Sequence, residues 1–151
     1  MSIEPGWHPI VVHFPLALVV TAALLLVAAR LWRQERQAKM LATVGTWNLC
    51  IGAVAALFAL ASGLAGLIGL HAGLAAHQSI FLHVKWAICT SLALLLVAVW
   101  RGAGAAQESR PSWLFIVILL GMTAALVVTG YQGGQNVYRH GVGVHRDNAE
   151  R

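Results

Sequence analysis

Charged residues are scarce in this chain of 151 residues: they make up 10% of it, and only five are Asp or Glu. A soluble globular chain carries about 25% charged residues and about 45–50% apolar ones. Here the hydrophobic fraction is 59% and the mean hydropathy is +0.75. This composition excludes an ordinary soluble domain and predicts an integral membrane protein that lies in a lipid bilayer.

Cysteine and membrane-embedded acids are also nearly absent. The only two cysteines, Cys50 and Cys89, lie within apolar runs, so the sequence offers no disulfide framework. No Asp or Glu lies within an apolar run, although a proton-coupled transporter usually places one there. Motifs for phosphate binding, nucleophilic catalysis and paired-carboxylate chemistry are missing too. An electron carrier or a subunit of a membrane complex is therefore favoured over a stand-alone enzyme, although the sequence leaves enzymatic activity open.

Four apolar stretches are each long enough to cross a hydrocarbon core of about 30 Å, which takes about 20 helical residues. They lie near residues 9–31, 44–70, 79–100 and 112–131. Backbone hydrogen bonds must be made within each span, so the predicted fold is all-α: an integral membrane four-helix bundle, up-down-up-down. Residues 1–151 are expected to form one four-span domain, with residues 132–151 as an outer C-terminal segment.

Basic residues in the short loops predict the orientation. The second connection, residues 71–78, has no Lys or Arg, whereas the first and third connections carry Arg30, Arg33, Arg36, Lys39, Arg101 and Arg110. By the positive-inside rule the first and third connections are cytoplasmic and both termini face outward. The net charge of +5 then reflects topology and does not indicate nucleic-acid binding. We expect a multi-pass protein of the bacterial inner membrane with periplasmic N- and C-termini.

Histidine is the residue type with the most uneven distribution. With this topology all seven histidines lie at or near the outer face: His8, His13, His71, His77, His83, His140 and His145. Pro9 suits the first turn of a helix and Ser79 suits a helix cap. His13 and His83 would then each lie about four residues, or roughly 6 Å, inside their spans. Histidines within a membrane usually face the bundle interior and mark a site.

Two histidines on different helices of a bundle are the usual axial ligands of a b-type haem. The sequence therefore predicts haem b at the outer end, with His13 and His83 as ligands. Other histidines can replace one of them, and two basic residues can pair with the haem propionates. These further candidates are His71, His77 and His140 for ligation, and Lys85 and Arg139 for the propionates.

Glycines in the outer half of the second span, including Gly66 and Gly69, would leave room for a flat cofactor. The same glycines also suit close packing of helices without a cofactor. Zinc or copper is the competing use of His13 and His83, joined by His71 and His77. No carboxylate or thiolate is expected at that depth, which favours haem. The alternative to a redox protein is a non-redox membrane module, either metal-binding or purely structural, that binds no cofactor.

Both ends of the chain carry specific motifs. The residues are HPIVVHFPLAL from His8 to Leu18, then GYQGG from Gly130 to Gly134 and YRHGVGV from Tyr138 to Val144. They resemble the DUF2231 family of predicted bacterial membrane proteins over nearly the whole chain. The resemblance implies four spans and a redox setting, because such modules can be fused to cytochrome c-type or Rieske-type domains. The resemblance implies that seven positions of this chain correspond to residues of the family's motifs: His8, His13, Pro15, Gly134, Tyr138, His140 and Gly141. It leaves open whether His77 or His83 corresponds to the family's histidine in the third span.

The expected function is that of a b-type cytochrome-like protein that passes electrons between a periplasmic redox protein and membrane quinone. One haem near one face cannot carry electrons across the membrane, so exchange would occur on the periplasmic side only. Gly133 and Gly134 are expected to end the fourth helix. The segment up to Val144 would then fold back over the bundle and bring His140 towards the other histidines. A homo-oligomer is left open.

Overall fold

The computed structural model describes residues 7–68, 74–104 and 110–142. These residues form helices with no strand among them: α1 (Trp7–Val11), α2 (His13–Leu31), α3 (Glu35–Ala65), α4 (Leu74–Gly104) and α5 (Trp113–His140). Helices α1 and α2 form one nearly continuous span, so the described chain contains four helices long and apolar enough to cross a membrane. The predicted all-α, four-span architecture is confirmed, and its membrane-spanning helices imply a lipid bilayer environment.

The break between α1 and α2 lies at Val12, whose φ of −62° and ψ of −21° remain close to helical values. Pro15 explains its position, because proline has no N–H to donate to the carbonyl of Val11 four residues earlier. The two helices meet at this point.

The four spans pack in a ring. Helix α2 packs against α3 and α5, and α4 packs against the same two neighbours, while in the described residues no Cα of α2 lies within 8 Å of one in α4, and none of α3 within 8 Å of one in α5. Helices α2 and α4 are therefore diagonal partners across the bundle, as are α3 and α5.

Each helix buries residues at alternating spacings of three and four, which is typical of bundles whose ridges pack as in coiled coils. In α2 the buried stripe runs through Pro15, Val19, Ala22, Leu26 and Ala29. In α3 it runs through Ala38, Ala42, Gly45, Leu49, Gly52, Ala56 and Ala59. The side chains outside these stripes are largely apolar and exposed, such as Phe58 at 68% and Leu96 at 70%, as expected for a surface that faces lipid.

Two glycines allow α2 and α3 to approach closely. A Cβ at Gly45 would lie 2.8 Å from Cγ of Leu26, and one at Gly52 would lie 2.9 Å from Cγ2 of Val19. Both Leu26 and Val19 are fully buried. Close contact through small residues is how helices associate in a membrane, where burial of apolar surface gives little driving force.

The helices extend further than the apolar spans predict. Helix α3 begins at Glu35, so Arg36 and Lys39 belong to a helix and the first connection is short. Helix α5 continues through Gly133 and Gly134 to His140, which corrects the prediction that this glycine pair ends it. It ends instead at Gly141, whose φ of 64° is a left-handed conformation that glycine adopts without strain.

Candidate functional site

Polar side chains gather at the end of the bundle where α1 and α4 begin and α5 ends. We call this region the histidine end. Its members are His8 on α1, Ser62 on α3, Ser79 and His83 on α4, and Thr129 and Asn136 on α5. Thr129 and Asn136 are buried, which is unusual for polar side chains unless they are hydrogen-bonded.

His8 is fixed by the last turns of α3. Its Nδ1 lies 3.0 Å from the carbonyl oxygen of Ala59 and 3.1 Å from Oγ of Ser62. Ser62 in turn donates a hydrogen bond to the Ala59 carbonyl at 2.8 Å. A carbonyl oxygen can only accept, so the hydrogen bond to Ala59 requires a proton on Nδ1 of His8.

His83 is fixed in the same way by α5. Its Nδ1 lies 3.1 Å from the carbonyl oxygen of Thr129, which again requires the proton on Nδ1. The hydroxyl group of Thr129 donates to the carbonyl of Ala125 at 2.8 Å and lies 3.3 Å from the hydroxyl of Thr90. The acceptor of His83 is thus part of a buried polar network.

The two imidazoles meet across the bundle. Their ring centroids are 6.5 Å apart and their planes are inclined at 72°. Because α1 continues into α2, and α2 is diagonal to α4, this contact bridges opposite corners of the four-helix ring. In a neutral imidazole with its proton on Nδ1, Nε2 carries the lone pair that binds metals.

A glycine lies against each imidazole. A Cβ at Gly63 would lie 2.9 Å from Cε1 of His8, and a Cβ at Gly133 would lie 3.1 Å from Cε1 of His83. Real Cβ atoms essentially never show a contact as short as the one at Gly63, and the contact at Gly133 is tighter than most, so a side chain at either position would push the ring aside. Gly63 and Gly133 therefore make room for the two histidines.

Amide side chains lie near the same end of α5. The carboxamide oxygen of Asn136 accepts a hydrogen bond from the Ser79 hydroxyl at 2.6 Å, which links α5 to α4. The Oε1 atoms of Gln132 and Gln135 are buried without a hydrogen-bond partner within the described chain. Unpaired buried oxygens are uncommon and are usually satisfied by water or a ligand with donor groups.

The structure puts His8, and not His13, beside His83. His13 is the first residue of α2 and is exposed to the surroundings of the bundle. It falls outside the buried stripe of α2, whereas His8 lies seven residues before Pro15 and continues that stripe. The predicted pairing of His13 with His83 therefore becomes a pairing of His8 with His83.

The other predicted site residues lie away from the His8–His83 contact. His77 is exposed on α4, and His140 and Arg139 are exposed in the last turn of α5, which follows from the extension of that helix. Lys85 is exposed as well, with Nζ 4.6 Å from the ring centroid of Phe81. Gly66 is exposed at the C-cap of α3, and among the described residues a Cβ there would meet only the carbonyls of Ser62 and Gly63 of that same helix. His71 and Gly69 lie outside the described residues, as do Gly143 and Val144 at the end of the predicted lid. The earlier part of that segment continues α5 as far as His140, so it does not fold back over the bundle as predicted.

Sequence reasoning did not identify the partners of the two imidazoles. The spacing of residues by three and four along α4 and α5 could have identified them, because it shows which side chains face the bundle interior. On α4, the stripe that passes through His83 at spacings of three, four or seven residues contains four buried residues: Thr90, Leu94, Val97 and Arg101. On α5, the stripe that contains Thr129 and Asn136 also contains the buried residues Phe115 and Leu119. His83, Gly133 and Asn136 all lie on these stripes, so their positions point into the bundle.

These features define a multi-pass helical membrane protein with a pair of histidines between diagonal helices at one end. The family model of DUF2231, a predicted membrane protein, matches residues 5–146, and the chain belongs to this family. No curated protein and no solved structure matches it.

Proposed function

We propose that the protein is a membrane b-type cytochrome in which His8 and His83 are the axial ligands of one haem. The observation that supports this proposal is the pair of imidazoles whose Nδ1 atoms both donate to main-chain carbonyls. Metal-binding histidines commonly donate their second ring nitrogen to a carbonyl, which orients the ring and leaves Nε2 for the metal. In this proposal Nε2 of His8 and Nε2 of His83 serve as the ligands.

The separation of the rings suits a single ion between them. With metal–nitrogen bonds of about 2.0–2.1 Å and roughly 1 Å from each nitrogen to its ring centre, imidazoles on opposite sides of one ion have centres about 6 Å apart. The observed distance between the centroids is 6.5 Å. The spacing of the two rings is therefore compatible with one ion between them.

The number of ligands favours haem over a bare metal ion. Protein zinc sites use three or four ligands from side chains. Among the described residues no group of three or more His, Cys, Asp or Glu side chains lies close enough to hold a metal. Two histidines are sufficient for haem, because the porphyrin supplies the other four nitrogens.

The haem would supply one-electron chemistry, and the chain's residues would orient its ligands and shield it from water. The carbonyls of Ala59 and Thr129 fix the two imidazoles, and Gly63 and Gly133 admit them. The spans contain 25 to 31 residues, which is roughly 38–46 Å at 1.5 Å per residue, so a site at one end would exchange electrons on its own side of the membrane only. We infer that the partners are a redox protein in the aqueous phase and membrane quinone, on the periplasmic side of the bacterial inner membrane.

The second candidate is a non-redox module in which the same histidines serve only to join helices. It is favoured by the fact that each ring already has a partner within the chain: His8 joins α1 to α3, and His83 joins α4 to α5. In this case replacement of either histidine lowers stability, and no cofactor is lost.

Optical spectra and metal analysis of one purified sample separate the two candidates. The protein is expressed with a haem precursor, purified in detergent, and measured as the dithionite-reduced minus oxidised difference. The cytochrome proposal predicts the sharp α and β bands of six-coordinate haem b, with about one iron per chain. A featureless spectrum with no bound iron would favour the structural module, and bound zinc or copper would favour a metal site.

A further inference from the structure

Helix α1 is attached to the bundle less firmly than the longer helices. It has five residues, and none of them is buried. Trp7 is 78% exposed and Ile10 is 54% exposed, so much of the helix surface points outward. A helix this short gains little stability from its own backbone hydrogen bonds. Its position therefore depends on its contacts with other helices.

His8 makes the polar contacts that attach α1. Among the described residues, the hydrogen bonds between α1 and another helix both involve Nδ1 of His8, which lies 3.0 Å from the Ala59 carbonyl and 3.1 Å from the Ser62 hydroxyl. The N–H of Val12 donates to the carbonyl of His8 at 3.1 Å, but this hydrogen bond lies within the segment itself. One half-buried imidazole thus fixes α1 on α3.

The junction between α1 and α2 is suited to bending. Pro15 has no N–H for the carbonyl of Val11, so the hydrogen bond that would cross the junction in a continuous helix cannot form. Val12 lies between the two helices with backbone angles close to helical ones. A bend at Val12 breaks fewer hydrogen bonds than a bend in an intact helix, and sharp bends usually occur at proline or at similar interruptions.

His83 is held more firmly than His8. It lies within the 31-residue helix α4, which is joined to α5 both before and after His83. Before it, the Ser79 hydroxyl donates to the carboxamide oxygen of Asn136 at 2.6 Å. After it, the hydroxyls of Thr90 and Thr129 are 3.3 Å apart. One imidazole of the pair is therefore on a short segment beside a hinge, and the other is on a fixed helix.

We propose that α1 is a hinged flap that turns at Val12 and carries His8 away from His83, which stays in place. The flap is closed in this structure, where the ring centroids are 6.5 Å apart. Opening breaks the hydrogen bonds of one imidazole and uncovers no side chain of α1 that is buried in the closed position. Outside the bundle, Trp7 suits the headgroup level of a bilayer, which tryptophan prefers.

The flap has a consequence for the proposed cytochrome, and this part of the inference rests on that function. His8 is the exchangeable axial ligand, and His83 is the permanent one. A small neutral molecule such as carbon monoxide takes the position of His8 when the flap opens. The exchange breaks the bond made by the Nε2 lone pair of His8 and forms one made by the carbon lone pair of carbon monoxide. It transfers no electron and no proton.

Distances between two nitroxide labels test the flap without haem. With both native cysteines, Cys50 and Cys89, replaced by serine, labels are attached to Ile10→Cys on α1 and Phe81→Cys on α4, both at exposed positions. Pulsed electron resonance should show a main distance for the closed flap and a longer, rarer one for the open flap. A control pair with the first label at Ala17→Cys, an exposed position beyond the junction, should show one distance.

Three further variants shift the flap in defined directions. His8→Ala should raise the share of the longer distance roughly fivefold, because it removes the hydrogen bonds to α3. Pro15→Ala should lower that share by a similar factor, because alanine supplies an N–H for the carbonyl of Val11. Pro9→Ala is the matched control, since Pro9 lies in the first turn of α1, where an N–H has no helical partner. Helical circular dichroism confirms folding, and Pro15→Ala decides alone if His8→Ala does not fold.

Carbon monoxide tests the ligand exchange in the haem-loaded, dithionite-reduced protein. We expect a binding rate that stops rising at high carbon monoxide concentration, because opening of the flap then limits it. Pro15→Ala should lower this limiting rate roughly fivefold, and Pro9→Ala should leave it unchanged.

Several results would overturn the inference. One distance at Ile10, identical in the wild type and in His8→Ala, would exclude the flap, and a second distance in the Ala17 pair would place the motion elsewhere. An equal effect of Pro9→Ala would exclude the junction as the hinge. Haem that binds no carbon monoxide, or binds it at a rate that Pro15→Ala leaves unchanged, would refute the exchange of His8. A protein without haem would refute the exchange together with the proposed function, and the label distances would still decide whether the flap exists.

Discussion

The imidazole of His83 lies against the bare backbone of Gly133, so close that a Cβ there would be 3.1 Å from its Cε1. Likewise, a Cβ at Gly63 would lie 2.9 Å from Cε1 of His8. The imidazoles can keep their observed orientations only because glycine, which has no side chain, stands at these positions of α3 and α5. These two contacts lead to the first prediction.

Gly133→Ala should displace the ring of His83 and lower the haem content of the purified protein, with a loss of about 1–3 kcal/mol in the free energy of unfolding for the overpacked position. Gly134→Ala is the matched control on the next residue of the same helix, because no described atom lies within 4 Å of a Cβ at Gly134. That control should be neutral or stabilising by up to about 1 kcal/mol, as alanine favours helix. Absorbance per protein and thermal unfolding measure the two effects. Equal behaviour of both variants would contradict the assigned role of Gly133.

Thr46→Val should destabilise the bundle by about 1–3 kcal/mol, because it removes the hydroxyl that accepts from Arg101 while the guanidinium stays buried. Thr43→Val is the control, since Thr43 is exposed on the same helix and its hydroxyl bonds only to the carbonyl of Lys39 among the described residues. Melting temperatures in detergent compare the two. A shift at Thr43 as large as at Thr46 would mean that the Arg101 contact is not the cause.

Gly52→Ala should force α2 and α3 apart, because the new Cβ would lie 2.9 Å from Cγ2 of Val19. We expect a loss of about 1–3 kcal/mol in unfolding free energy, as for other overpacked core positions. Gly121→Ala provides the comparison, since open space surrounds a Cβ there within the described residues. Denaturation curves of both variants in detergent give the difference. Equal stability would show that the two helices can separate without cost.

The orientation of the bundle remains a prediction from loop charges, and cysteine labelling tests it. In a background with Cys50 and Cys89 changed to serine, Tyr138→Cys and Arg36→Cys each place one thiol at an exposed position on opposite ends. A membrane-impermeant maleimide added to intact cells with a permeable outer membrane should label the Tyr138→Cys protein. The Arg36→Cys protein should react only after the inner membrane is opened. The reverse pattern would place the histidine end in the cytoplasm.

The four spans could be predicted from the sequence, because a stretch of about twenty apolar residues is typical of a transmembrane helix and rare in other structures. It did not fix the helix ends. The apolar stretches lie near residues 44–70 and 112–131, yet α3 already begins at Glu35 and α5 continues to His140, because helical hydrogen bonding does not require apolar side chains. At Gly133 the helix persists because packing against His83 outweighs the low helix propensity of glycine.

For the candidate site, the sequence predicted that His13 and His83 lie together, whereas the structure brings His83 beside His8 and leaves His13 exposed. The choice followed from taking Pro9 as the first helical residue, which left His8 outside the span. The chain instead begins α1 at Trp7, so that His8 falls on the buried stripe and His13 falls off it. Register on the helix, and not depth in the membrane, determines which histidine faces the bundle interior. Hydrogen-bond acceptors such as the carbonyls of Ala59 and Thr129 have no sequence signature, because every residue has a carbonyl.

The most direct test of the proposed cytochrome is the haem content of four single variants, measured from reduced minus oxidised spectra at equal protein concentration. His8→Ala and His83→Ala remove the proposed ligands, while His13→Ala and His77→Ala remove exposed histidines of the same end. Size-exclusion elution and helical circular dichroism confirm that each variant is folded. We predict that the first two lose the haem bands and that the last two keep them. Haem that survives in folded His8→Ala and is lost in His13→Ala would contradict this ligand pair, and a wild-type protein without haem would contradict the cytochrome itself.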